Sequence, residues 1–313
     1  MQKKSTIRLI LAALLLTFGI TTQAEIKTIK DVLGREVNVD VPVKNAVLGF
    51  YYPDYIAVTG VENFKYVKGI SREFWEKFNP GSWALFSEKM PELKNIADIG
   101  NVNTGTFSTE KTLALKPDVL ILAEWQYQTI GSELPKLEQA GVPIIVVDFN
   151  AQSVERHTKS AKIFGQLAGT EERANKIADE YAQGITNIQK RVKEANLPKP
   201  KIYVEFGNKG PSEYSFTFGK NMWGAIAETV GGDNVSAPFV ENWGPINPEQ
   251  LLAAQPEVIM ISGTEMGHET NDEMMAMGIN INEQDAQKRL KGFLTRAGWQ
   301  DLDRKSTRLN SSH

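Results

Sequence analysis

The sequence contains no cysteine. Disulfides, thiolate nucleophiles, cysteine-held clusters and a lipid-carrying cysteine are therefore all excluded. It has three histidines, His157, His268 and His313, and the last lies in a tail without apolar periodicity. A bare divalent ion needs three or four imidazole or carboxylate ligands, so a histidine-built metal centre has few candidates, and no metal ligand and no cofactor is expected. The patterns G-x-S-x-G, H-E-x-x-H and a phosphate-cradling glycine loop are also missing. Their absence speaks against serine hydrolysis, zinc proteolysis and nucleotide-driven chemistry. No low-complexity stretch interrupts the chain, which argues against a floppy linker.

What is present is an ordinary globular composition: 313 residues, 41% hydrophobic and 23% charged. Lys3, Lys4 and Arg8 precede the apolar run Leu9 to Ile20, and Thr22-Gln23-Ala24 closes it with small residues. That run is too short to cross a bilayer and reads as a secretory signal peptide over residues 1–24, cleaved before Glu25. Without it Lys+Arg falls from 35 to 32 against 38 Asp+Glu, a net charge near −6. An acidic surface disfavours nucleic acid and anionic lipid as partners. Residues 303–313 lack periodicity and read as a non-native tail.

The chain repeats itself at an offset of 139 residues. Asn103 to Leu122 and Asn242 to Ile261 share Asn103/Asn242, Gly105/Gly244, Glu110/Glu249, Leu113/Leu252, Ala114/Ala253, Pro117/Pro256 and Val119/Val258. In each copy an acceptor side chain, Ser108 or Asn247, stands where a helix N-cap is wanted. Pro248 suits the first helical position, and Gln250 completes a capping-box pattern with Asn247. Pro117 and Pro256 stop the helices, and the β-branched runs behind them read as buried strands. Each half therefore presents one glutamate, Glu110 or Glu249, in a first helical turn, where it favours the positive end of the helix dipole.

Around these copies strands and helices alternate, which predicts α/β layers. Residues 25–150 form one lobe, closing with the apolar run Pro143 to Asp148. Helical patterns follow from Ser153 to Leu167 and, with an apolar stripe of Ala174, Ile177, Ala178, Tyr181, Ile185, Ile188 and Val192, beyond a cap at Gly169-Thr170. Residues 151–168 are expected to be the interlobe helix, and residues 169–302 the second lobe. The stretch around Asn79-Pro80-Gly81 reads as loop.

Four stretches resemble, in order, blocks of the extracytoplasmic binding proteins of ABC importers for ferric siderophores, cobalamin and haem: Ile29 to Pro42, Thr109 to Ile121, Ala140 to Asp148 and Asn247 to Ile259. The resemblance implies an α/β fold of two Rossmann-like lobes with mostly parallel sheets, one long linking helix and a ligand cleft between the lobes. It implies a periplasmic monomer, an ABC permease dimer as partner, and docking through one glutamate per lobe, here Glu110 and Glu249. It also implies a further strand and helix after Gly298 to Leu302, so the second lobe is expected to be truncated as written.

Ligands of open α/β lobes sit at the carboxyl ends of strands. That rule selects Tyr51 and Tyr52, behind Phe50, then Arg72 with Trp83, and Trp125 with Tyr127, beside Glu124, in the first lobe. In the second it selects Lys209, Tyr214, Trp223 and Trp243, with Glu265 and His268 nearby. Such aromatics suit a large, flat metal chelate held by stacking, with Arg72 or Lys209 offsetting negative charge. An iron chelate, as in a ferric siderophore, is the expected ligand; cobalamin, haem and an oxyanion such as molybdate are alternatives. The second lobe lacks an arginine cluster, which weakens a catecholate reading. A tetrapyrrole chelatase or a sensory ligand-presenting protein would share the architecture, and the missing catalytic motifs speak against an enzyme.

Overall fold

The computed structural model describes residues 25–302; the expected signal peptide (1–24) and the expected foreign tail (303–313) lie outside the described residues. The chain opens with an antiparallel hairpin, Glu25–Lys30 against Glu36–Val41. Its turn is tied by Asp31, which accepts from the Leu33 and Arg35 amides and pairs with the Arg35 guanidinium at 2.6 Å.

The first lobe is a five-stranded, wholly parallel sheet in the order Ala97–Asp98, Val67–Ile70, Ala46–Leu48, Val119–Ala123, Ile144–Val147. Period-two alternation divides its side chains between two faces. Leu48, Ile121 and Val147 join one core with Phe164 and Leu167, whereas Val47, Leu120, Leu122 and Ile144 join another with Leu137. The region read as loop around Asn79 is instead two helices, Arg72–Phe78 and Pro80–Lys89. Asn79 is only the joint, because Pro80 ends one helix and opens the next.

The repeat is structural. Ser108 accepts from the Lys111 amide to open the helix Thr109–Ala114, and Asn247 accepts from the Glu249 amide to open Pro248–Ala254. The expected bond from Asn247 to the amide of Gln250 gives way to this one, one residue earlier. Each helix exits through a non-glycine residue at positive φ, Lys116 at 48° and Gln255 at 51°. The strands that follow are Val119–Ala123 and Val258–Ser262.

The linking helix is placed differently from the expectation. Val154–Ala168 packs into the first lobe through Ala161, Ile163, Phe164 and Leu167, and ends at Gly169 with φ 70°. The Thr170 hydroxyl does not cap the next helix; it is buried without a hydrogen bond. That helix, Glu171–Ala195, has 25 residues, a length of about 37 Å at 1.5 Å per residue. It begins on the first lobe through Ala174 and Ala178. It ends against the second, where Val192 packs so closely on Gly231 that a Cβ there would lie 2.4 Å from it. The bridge is therefore Glu171–Ala195, and the shorter helix before it belongs to the first lobe.

The second lobe's sheet is mixed rather than mostly parallel. Lys201–Phe206 is paired in parallel with Val258–Ser262 on one side and Asp233–Asn234 on the other, and antiparallel with Phe216–Phe218. Trp243–Pro245 extends the antiparallel part. Among the described residues no strand pairs with the far edge of Val258–Ser262, and Val258 and Met260 on it are 40% and 44% exposed.

Candidate ligand cleft between the lobes

A cavity of about 1270 Å³ lies between the lobes and continues along the open edge Val258–Ser262. Its first-lobe wall is built at strand ends. The buried side chains of Ser71 and Gln126 both donate to the Gly49 carbonyl, at 2.6 and 2.9 Å, and Gln126 also accepts from the Ala123 amide at 3.2 Å. These bonds bind the loops after three neighbouring strands into one platform. On it Phe50 meets Trp125 edge-on at 5.3 Å and Phe74 at 5.7 Å, and Phe74 stacks on Phe78 at 5.0 Å. The facing wall carries Phe216, edge-on to Trp243 at 5.1 Å, and Trp223. Trp223 and Trp243 are 42% and 57% exposed, unusual for side chains of that size.

Polar groups line the same space. Glu124, at the start of the helix Glu124–Thr129, pairs with Arg156 at 2.8 Å. Asp148 is buried and accepts from the amides of Asn150 and Ala151 at 2.8 and 3.1 Å. Burial raises the pKa of Glu124, Arg156 opposes the rise, and Asp148 adds to it. Lys220 pairs with Glu241 at 2.6 Å on the opposite wall.

The lobes touch beside the cavity. The Met222 amide, at a strained φ of 49°, donates to Asn150 O at 3.0 Å. Glu265, buried in the second lobe, accepts from the amides of Gly81 in the first lobe and Asn280 in its own. A Cβ at Gly81 would lie 2.4 Å from the carboxylate, so a larger residue there would push the Glu265 side chain aside.

Of the ten ligand candidates from the sequence, Trp125, Trp223 and Trp243 line this cavity. The other seven are elsewhere. Tyr51, Tyr52 and Trp83 are buried one layer below: Tyr51 OH accepts from the Phe149 amide, and Tyr52 packs edge-on against Trp75, Trp83 and Phe86. Burial pushes both tyrosines' pKa upward. Tyr127 lies over Arg35 and accepts its hydrogen bond. Arg72 pairs with Glu76 at 3.2 Å and Lys209 with Glu213. Tyr214 accepts from Trp299 Nε1 and lies under Arg296 in the second core. Strand-end position does not fix on which side of a platform a side chain emerges.

Phe74 and Phe78 were legible as an i, i+4 aromatic pair once their segment is read as helix. Arg156 carried no local signal, since it reaches the cleft from the helix Val154–Ala168. His157, read as a solvated helix residue, is half-buried, bonded to Phe149 O at 2.8 Å and stacked on Tyr181. Burial lowers its pKa. Among the described residues no three His, Asp or Glu side chains converge as a metal site. Glu110 and Glu249 are exposed, each in a first helical turn.

The family model for periplasmic binding proteins matches residues 80–303. The chain belongs to the periplasmic binding protein family. In structure it is similar to the TroA-like periplasmic binding protein FepB from Veillonella parvula, at 33% identity and a TM-score of 0.77, covering 89% of this chain and 81% of that one. In sequence it is 26% identical over 184 residues to the vitamin B12-binding protein of Yersinia pestis (strain Pestoides F), covering 59% of this chain. It is 23% identical over 171 residues to the ABC transporter substrate-binding lipoprotein YvrC of Bacillus subtilis, covering 54% of this chain. The matched segments span 61% and 52% of those two relatives' own lengths.

Proposed function

We propose that this protein captures an iron chelate of the ferric-siderophore kind in the periplasm and delivers it to an ABC importer. The observation that carries the reading is the cavity of about 1270 Å³ with aromatic walls from both lobes, a space suited to a large, partly flat ligand held by stacking. Among the described residues no three His, Asp or Glu side chains converge, which supports a metal that arrives inside its own ligand. Glu110 and Glu249 are the proposed docking contacts, one per lobe at matched positions, for arginines of a two-fold permease. The leader at 1–24 would export the chain, and it would act as a monomer. Cobalamin is the second reading, favoured by the similarity to a vitamin B12-binding protein.

The test has two arms. Tryptophan fluorescence of the purified chain is titrated with ferric hydroxamate and cobalamin, with Trp223→Ala and Trp243→Ala each expected to weaken binding by about tenfold or more. Uptake by cells carrying the cognate importer is then compared for wild type and Glu110→Ala/Glu249→Ala. Unchanged uptake in the double variant removes the docking proposal, and turnover of any added chelate removes the binding-protein reading.

A further inference from the structure

We propose that the chelate carries no net negative charge: an uncharged or cationic complex with a large apolar outline and amide or ammonium donors. This rests on the cleft-capture reading above and narrows its ligand class. Three carboxylates, Glu124, Asp148 and Glu241, and two cations, Arg156 and Lys220, are the charged residues on its cleft walls; Glu257 lines only its extension along the open edge, where it accepts from the Lys201 amide.

Neither cation is waiting for an anion. Arg156 Nη1 lies 2.8 Å from Glu124 and also donates to Val32 O at 3.2 Å. Lys220 pairs with Glu241, and this exposed pair at the rim is the easier to open. Drawing Arg156 onto a ligand would leave Glu124 beside Asp148 with no countercharge, in a site where burial already disfavours its ionised form. The cations that sequence position offered to a negative ligand, Arg72 and Lys209, are held by Glu76 and Glu213 outside the cavity.

The aromatic lining points the same way, while Asn103, Gln128, Asn150, Asn221 and Asn242 add neutral amides that both donate and accept. The faces of Phe74, Trp125, Trp223 and Trp243 carry negative π-density, which attracts apolar surface and cations and gives nothing to an anion. Oxygen acceptors on Glu124 and Glu241 favour ligand groups that donate hydrogen bonds. A polyanionic catecholate complex, a haem with its propionates and an oxyanion each bring negative charge for which both cations would first have to leave their carboxylates.

The experiment is a charge series on the purified chain. Affinities are measured by fluorescence for an uncharged ferric trihydroxamate, cyanocobalamin, ferric tris-catecholate, haem and molybdate, at about 20 mM and about 500 mM salt. One of the first two is expected to bind at least about tenfold tighter than every anionic probe, with its Kd moving less than about threefold with salt. Glu124→Gln, which frees Arg156, is expected to shift the catecholate-to-hydroxamate preference about tenfold towards the catecholate. An anionic probe that binds tightest, and weakens about tenfold on adding salt, overturns this inference while leaving capture intact. No binding by any probe, in protein that melts cooperatively, overturns the capture reading and the inference with it.

Discussion

Arg296→Met tests what holds the second lobe together. The Arg296 side chain is 2% exposed and its partner Glu205 is 0% exposed. They form a two-bond pair at 2.6 and 2.9 Å. The guanidinium also donates to the carbonyls of Pro211, Gly210 and Glu213, while Glu205 accepts from Tyr203 OH and the Ser215 amide. Tyr214, Phe293 and Trp299 lie within 5.1 Å of the guanidinium carbon. Removing the arginine leaves a carboxylate in the core with only neutral donors and three carbonyls without a partner. Breaking one side of such a pair costs about 3–5 kcal/mol. At about 2–4 °C per kcal/mol for a unit of about 150–250 residues, the melting temperature should fall by about 6–20 °C. Arg296→Met/Glu205→Leu removes the unpaired charge and should recover about 1–3 kcal/mol of that loss, while the three carbonyls, Tyr203 OH and the Ser215 amide stay without their partners. Urea denaturation and calorimetry read both. A single variant that loses less than about 1 kcal/mol, or a double variant no better than the single, refutes the reasoning.

Two further outcomes are expected. Burial pushes the Asp54 carboxyl up to about 6 from its ordinary 3.8, so the folded chain keeps a proton that the unfolded chain releases between those values. Its stability contribution is present below about pH 4 and is lost as pH rises through about 6; Asp54→Asn should remove that slope and gain about 1–3 kcal/mol at pH 7.5 in urea denaturation. Glu265→Ala strips the acceptor from the amides of Gly81 and Asn280 across the lobe contact, at about 1–3 kcal/mol for each unsatisfied donor. X-ray scattering in solution should show the lobes spread, and a profile identical to wild type would sink the clasp.

Local signals carried the elements, and long-range ones decided the site. The repeat was readable because it rests on near-neighbour chemistry: a cap at Ser108 or Asn247, a proline stop, a β-branched run. Trp125, Trp223 and Trp243 were found by the strand-end rule, and Tyr52 and Trp83 were selected by the same rule although they form the layer beneath. Which of two adjacent aromatics faces the cleft is set by the platform that Ser71, Gln126 and Gly49 build, and those three are far apart in the chain. Arg156, Glu205 and Arg296 were invisible for the same reason, since a charge reads as surface until its partner is known. The bridging helix was misplaced because Val154–Ala168 and Glu171–Ala195 have similar patterns, and only the contact of Val192 with Gly231 shows which one reaches the second lobe.

The two halves agree where they face outward and differ where they face each other. The helix carrying Glu110 and the helix carrying Glu249 share an N-cap, an acidic first turn and a left-handed exit, and even the next carboxylates correspond: Asp118 accepts from the amides of Lys44 and Asn45, and Glu257 from that of Lys201. Apart from the repeat pair Asn103 and Asn242, which both line the cavity, the cleft walls differ, with a parallel sheet and Phe50, Phe74 and Trp125 on one side and a mixed sheet with Trp223 and Trp243 on the other. A partner of two-fold symmetry requires matched contacts from both lobes, while a small asymmetric ligand does not. The repeated surface and the divergent cleft fit the combination of partners proposed above.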